Sequence, residues 1–533
     1  MTRIIFKLIF LFPFLLVAQQ QKEEQKELPK LDIPEITIVG KKAITLPFAK
    51  KGEYNIIDYV TPQKPDSSML GVKQLLLASG TRHYSAINFT EKLNGYLEAG
   101  FGNFSRVHLL GLIRYSDAVW EASLRTGYNS TSGHVKNSDG NRFSIGVDFG
   151  TMINTDNEYL RSFRIVNLLD FASDKFGIYG FRDSTVRRSR QILSFKTNLA
   201  SSEFKSISFN FLLGLNSFKI EDNDRFNSSV FLPEFRISSS FNVSKVSFLS
   251  KLSYETSLIN YSIPTESPTL LQISLLSQTY LNENIYTSFG FKYINGTNSD
   301  GGYQRFFYPA GIIKINFGSN LKFSIWFEPD VINNSYISFM LENPFLSREL
   351  LLRFSFKPVN LGVGVDYSYK FLSLYTKLSY AKLNNAFYPF VKNEAIYLGY
   401  ADVDEFKIDI KGIFEITKQI KLYTNWVYNN SRMKSIKQQL FMRPEFQMQN
   451  KIEYALEFPL KVFLSADYYT KRLLEQYHSL PAYFVLGIGA NTNIIKKTMM
   501  SFELNNLLNT DYDYFYGYPA PGVTLMVKFQ YNF

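Results

Sequence analysis

The sequence predicts an all-β protein: a transmembrane antiparallel β-barrel of about 22 strands behind a short, mostly irregular N-terminal segment. Three observations carry that expectation. Residues 523–533 alternate apolar and polar side chains up to a terminal phenylalanine, and the same alternation recurs from Lys92 onward. Past the N-terminus no apolar run is long enough for a spanning helix, although the chain is 45% hydrophobic and carries 49 Phe and 35 Tyr.

Residues 1–18 read as a secretory signal peptide. Arg3 and Lys7 precede the apolar run Leu8 to Val17, and Ala18 is a small residue suited to the cleavage point. The chain has no cysteine, which excludes a lipoprotein anchor and a disulfide framework. Residues 19–44 form a Gln/Lys/Glu-rich leader expected to be disordered, interrupted by the extended, β-prone island Ile33 to Gly40. Residues 45–91 are mixed, and residues 92–533 make the barrel.

In a strand successive side chains point to opposite faces, so alternation sorts them. Val523, Leu525, Val527, Phe529, Tyr531 and Phe533 form one apolar stripe, with Thr524, Lys528, Gln530 and Asn532 facing the other way. Leu321, Phe323, Ile325 and Phe327 likewise face away from Lys322, Ser324 and Glu328, and Phe406, Ile408 and Ile410 from Lys407, Asp409 and Lys411. Ile207, Phe209, Phe211, Leu213 and Leu215 repeat the pattern. Apolar side chains against lipid and polar ones toward the lumen is the arrangement of a membrane barrel. Tight links such as Asn316 to Asn320 and Phe458 to Lys461 are expected to alternate with long loops at Asn129 to Asn141, Ser173 to Arg187, Ile294 to Arg305 and Asn429 to Arg443. The net charge of +11 comes from charges placed singly between apolar residues, with no basic stripe interleaved with stacking aromatics, so nucleic acid is not expected as a partner.

Three segments carry a family resemblance. Asn506 to Tyr512 and Gly517 to Gly522, leading into the last strand, resemble the closing hairpin of TonB-dependent outer-membrane receptors. Glu342 to Leu350 resembles a periplasmic turn near the middle of those barrels, and Gly95 to Asn103 is similar to their opening strand. The resemblance implies the outer membrane of a Gram-negative-type bacterium, a substrate docking from outside, and an inner-membrane energy transducer pulling on a short box. Glu35, Ile36, Thr37, Ile38 and Val39 look like that box, an extended segment suited to strand addition onto a partner's sheet edge. The aromatic end Phe529, Tyr531, Phe533 resembles the signal read by the barrel-assembly machinery. The sequence departs from the family between box and barrel, where too few residues lie for a full plug domain. The lumen is then filled by inward loops, by residues 45–91 as a short plug remnant or luminal segment, or by a partner such as a surface lipoprotein.

The remaining candidates are better read as structural. His83, His108, His134 and His478 lack metal-ligand spacing, and Asp511 and Asp513 read as a solvated turn. No nucleophile motif is present, so neither an enzyme nor a cofactor is expected. The aromatic excess, including Tyr512, Tyr514, Phe515, Tyr516 and Tyr518, reads as an interfacial girdle, with stacking on a sugar or aromatic substrate as the sharper alternative. The expectation is therefore a porin-like barrel with a reduced or missing plug that mediates or gates solute uptake; the alternative is a non-transporting structural subunit of an outer-membrane complex.

Overall fold

The computed structural model describes residues 93–533, apart from 118, 158–159, 181–184, 202–206, 224–226, 261–265, 333, 348–349, 393–394 and 476–477. The signal peptide at 1–18, the box-like Glu35 to Val39 and the segment 45–91 lie outside the described residues.

Antiparallel pairing runs from the first strand, Leu93–Gly102, through each sequence neighbour to the last, Thr524–Asn532, and the last pairs back onto the first. The sheet has 24 hydrogen-bonded segments among the described residues. Val246–Thr256 continues into Leu258–Asn260, and Leu321–Phe327 into Asp330–Ile332, each against a single partner strand. The result is a closed barrel of 22 strands, matching the sequence expectation. Closure pairs the first strand with the last, so the ring of strands has no free end.

The seam is close-fitting. Gly95 and Phe533 exchange backbone hydrogen bonds of 3.1 and 3.0 Å. A Cβ on Gly95 would lie 2.1 Å from the Leu112 carbonyl oxygen and 2.7 Å from the Phe533 ring, so only glycine fits there.

The two ends of the barrel differ. The end that holds Leu93 and Asn532 carries short connections such as 244–245, 283–284, 318–320, 370–371 and 496–497. The opposite end, here the loop end, carries 132–139, 178–186, 333–354, 434–445, 470–482 and 506–523. The expected long loops are at this end but shorter than the sequence suggested, because the strands project further. The strand Leu160–Gly177 takes up the start of one, and Ile285–Thr297 and Tyr303–Phe317 leave only 298–302 of another.

Register sorts the side chains as alternation predicts. Lys322 pairs with Asp366 and Ser324 with Gly364 on one face; Phe323 pairs with Val365 and Ile325 with Val363 on the other. Phe529 and Tyr531 pair with Ala99 and Leu97 on the outward face, and both are exposed there. The outward face is a belt of exposed apolar side chains such as Leu193, Leu275, Phe289 and Phe307. The inward face is polar, with Arg125 bridging Asp148 and Asp170 at 2.7 and 2.9 Å and Arg443 meeting Glu405 at 3.0 Å.

One expectation fails. Glu342 to Leu350 is not a tight turn at the end shared by the chain's barrel termini. It belongs to the longest described connection, 333–354, at the loop end. The resemblance is to a periplasmic turn leading into a strand, and Asn343-Pro344 lies at this point. In the fold that pair ends the helix α1, Tyr336–Glu342, which points into the barrel.

Candidate functional site

The connection 333–354 sits inside the barrel mouth. Ser335 caps α1, its hydroxyl accepting from the Ser338 amide at 3.1 Å. Tyr336, Ile337, Phe339, Met340 and Leu341 are all buried, so the helix is apolar around most of its circumference and needs cover on several sides. A helix this short does not hold by itself in water. Its stability comes from what surrounds it.

On one side stand Ile192, Phe218, Ile220, Val230 and Leu232, from the strands Arg187–Ser201, Ile207–Asp222 and Asn227–Val243. On the other stand Phe387 and Ile396, from Leu372–Lys392 and Ala395–Glu415. Phe218 meets Tyr336 at a ring distance of 5.8 Å, and Phe387 meets Phe339 at 4.8 Å. These strand groups are separated by many strands around the ring, so a helix touching both crosses the lumen.

Two arginines fix the end of the helix. Arg190 forks onto Asp174 at 2.9 and 2.5 Å and donates its remaining Nη1 to the Met340 carbonyl. Arg188 forks onto Asp222 at 2.8 and 3.0 Å and donates Nη1 to the carbonyls of Pro344 and Leu346 at 2.9 and 2.7 Å. Helix C-terminal carbonyls have no partner within the helix, and positive charge is favoured there. The chain then returns along the wall, where Ser347 donates its amide to the Ile396 carbonyl at 2.6 Å and Leu352 donates to Ser299 Oγ at 2.8 Å.

Above α1 the loops are joined by aromatic rings. Phe345 stacks on Tyr518 at 4.0 Å, and Tyr179 packs against both at 5.4 and 5.3 Å. His134 meets Tyr179 at 5.8 Å while its Nε2 lies 2.8 Å from the Pro519 carbonyl. Four loops thus share one cluster. At the rim Arg187 forks onto Asp139 at 3.0 and 2.7 Å and holds its carboxyl below the usual range. An open cleft of about 440 Å³, lined by Tyr388, Phe390, Phe441, Leu474 and Phe515, lies beside this cluster, between the connections 434–445, 470–482 and 506–523.

The sequence-predicted residues fall elsewhere. Phe529, Tyr531 and Phe533 line the closing seam, at the other end of the chain's last strand from the loops. His108 sits between Asn129 and Glu98, and His478 beside Glu475. Asp513 accepts the Gly517 amide at 3.0 Å within a turn. Of the girdle aromatics, Tyr512 and Tyr518 are buried among loops. Sequence reading missed Arg188, Arg190, Asp174, Asp222 and α1. One signal was present: Phe218, Ile220, Val230 and Leu232 are apolar at inward positions, where the pattern asks for polar residues. Such a break means that something packs there from inside.

No family model matches the sequence, and no curated protein matches it. Solved structures do match the fold. The FrpB iron transporter from Neisseria meningitidis, in its apoprotein form, aligns with TM-score 0.65 and 11% identity over 84% of this chain and 82% of that one. The copper transporter OprC aligns with TM-score 0.64 and 9% identity over 83% and 80%. The ferric yersiniabactin uptake receptor FyuA from Yersinia pestis aligns with TM-score 0.63 and 10% identity over 83% and 80%. The chain shares the barrel of these receptors and transporters, the fold expected from its TonB-dependent-receptor resemblance.

Proposed function

We propose that this chain is an outer-membrane, receptor-type barrel that gates solute uptake, and that its own segment 333–354 closes the outer end. In this reading the apolar belt faces lipid, the loop end faces outward from the cell, and the short turns face the periplasm. The observation that carries it is α1 spanning the lumen between strands on opposite sides, latched by Arg188 and Arg190. A polar lumen beneath this closure suits a path for solute more than a purely structural barrel. Glu35 to Val39 supplies the contact with a TonB-type energy transducer, and residues 45–91 act as a plug remnant.

Liposome swelling tests the gate. Replacing Tyr336–Glu342 by a glycine-serine stretch is expected to speed entry of small sugars relative to the full chain, and equal rates contradict the proposal. The competing reading, a structural subunit, gains if the protein co-purifies at fixed stoichiometry with other outer-membrane proteins and loses no partner when Glu35 to Val39 is deleted.

A further inference from the structure

The latch contains one cation too many. Arg142, on the strand Gly140–Asn157, stands directly opposite Asp174, and Arg190 stands opposite Asp174 on its other side. Cross-strand neighbours of this kind share a face, so all three point inward with Arg188 one step along. Asp174 gives both carboxylate oxygens to Arg190, and Asp222 gives both to Arg188. Arg142 is left over. It is 3% exposed, and among the described residues its Nη1 and Nη2 are buried without a hydrogen-bond partner.

A guanidinium does not shed its proton to escape burial, and a buried charge without an acceptor is among the costliest features a fold can carry. A barrel that needed only sealing would place an apolar residue there, as it does at Ile192, Phe218 and Val230 nearby. Within this latch, among the described residues, three arginines also face two aspartates. Withdrawal of α1 would free the donors that Arg190 and Arg188 now spend on the carbonyls of Met340, Pro344 and Leu346. Freed, the Nη1 of each offers charged N–H donors to a planar or tetrahedral oxyanion, beside the open Nη1 and Nη2 of Arg142.

We infer that this level of the lumen is a binding site for the carboxylate or phosphate group of a solute, with Arg142 as its reserved ligand and Arg188 and Arg190 recruited as α1 leaves. The inference deepens the gate reading and rests on it. An anion that binds only the open arrangement shifts the population toward it, so the solute favours its own passage.

Calorimetric titration of the detergent-solubilised full chain with inorganic phosphate, against chloride at equal ionic strength, tests the site. Binding is expected for the native chain. R142Q is expected to bind roughly tenfold more weakly or worse, the loss of one charge-assisted contact. R142K, which keeps the charge but not the fork, should fall between. In planar bilayers under a salt gradient, the reversal potential of the native chain should show anion preference, and R142Q should lose it. Absence of phosphate binding by the native chain, or equal affinity in R142Q, overturns the proposal. The two readings fail separately. A variant lacking Tyr336–Glu342 that opens yet shows no anion preference removes the anion site alone. One that does not open removes the gate beneath it.

Discussion

The ring of Phe345 lies on that of Tyr518, with centroids 4.0 Å apart and planes 20° from parallel. This contact joins the inward segment to the loop before the closing strand, so the two move together or separate at a cost. Stacked aromatic pairs contribute about 0.5–1.5 kcal/mol beyond their buried area. A double-mutant cycle of Phe345→Ala and Tyr518→Ala is expected to give a coupling in that range, read from thermal unfolding. Both single variants should also make segment 333–354 more sensitive to protease added from outside. Additive effects would mean that the rings touch without being coupled.

Because the native chain has no cysteine, the two faces can be labelled cleanly. Cysteine placed at Lys322 should react with small hydrophilic thiol reagents, and cysteine at Phe323 or Ile325 should not. Lys322 faces Asp366 across the sheet on the inward side, and Phe323 faces Val365 on the outward side. The reverse labelling pattern would put the register one residue out.

The closing seam sets the assembly prediction. Replacing Phe529 and Tyr531 by Asp, or deleting Phe533, should abolish surface appearance measured by heat-modifiable mobility and surface labelling. A buried lipid-face Lys or Arg costs roughly 2–4 kcal/mol at the midplane and an acid less, so the loss comes mainly from failed recognition of the terminal strand. Gly95→Val should do the same by geometry alone, since even a Cβ there collides with the Leu112 carbonyl. Normal surface levels of these variants would show that the terminal strand is not the assembly signal.

Residues 45–91 make a separate claim. A chain that keeps residues 1–44 but lacks residues 45–89 should still insert. If those residues help seal the lumen, its conductance should exceed that of the full chain. Identical conductance would leave the sealing to segment 333–354 alone.

Much of the barrel was legible in the sequence because its determinants are local. The stripe Val523 to Phe533 and the alternation of Lys322 and Ser324 with Phe323 and Ile325 each lie within one strand, and period-two spacing reveals them without knowledge of neighbours. The closure was not legible, because it depends on partners distant in sequence. Tyr336 to Leu341 is too short an apolar run to tell helix from strand, and what covers it comes from residues near 192, 220 and 396. Nothing local to Arg188 and Arg190 marks their role, since their acceptors are Asp222, Asp174 and the carbonyls of Met340, Pro344 and Leu346. The apolar inward positions Phe218, Ile220, Val230 and Leu232 are the trace that α1 leaves in these strands.

The account's central claim is that α1 closes this barrel from within. Planar-bilayer recording of the full chain beside a variant carrying Tyr336→Ser and Met340→Ser tests it most directly, since both side chains are wholly buried in the closure and lie outside the strands that build the wall. The full chain should conduct weakly, and the variant should show frequent openings of larger unitary conductance. Matching conductance in the two, with the variant inserted and folded, would contradict the claim.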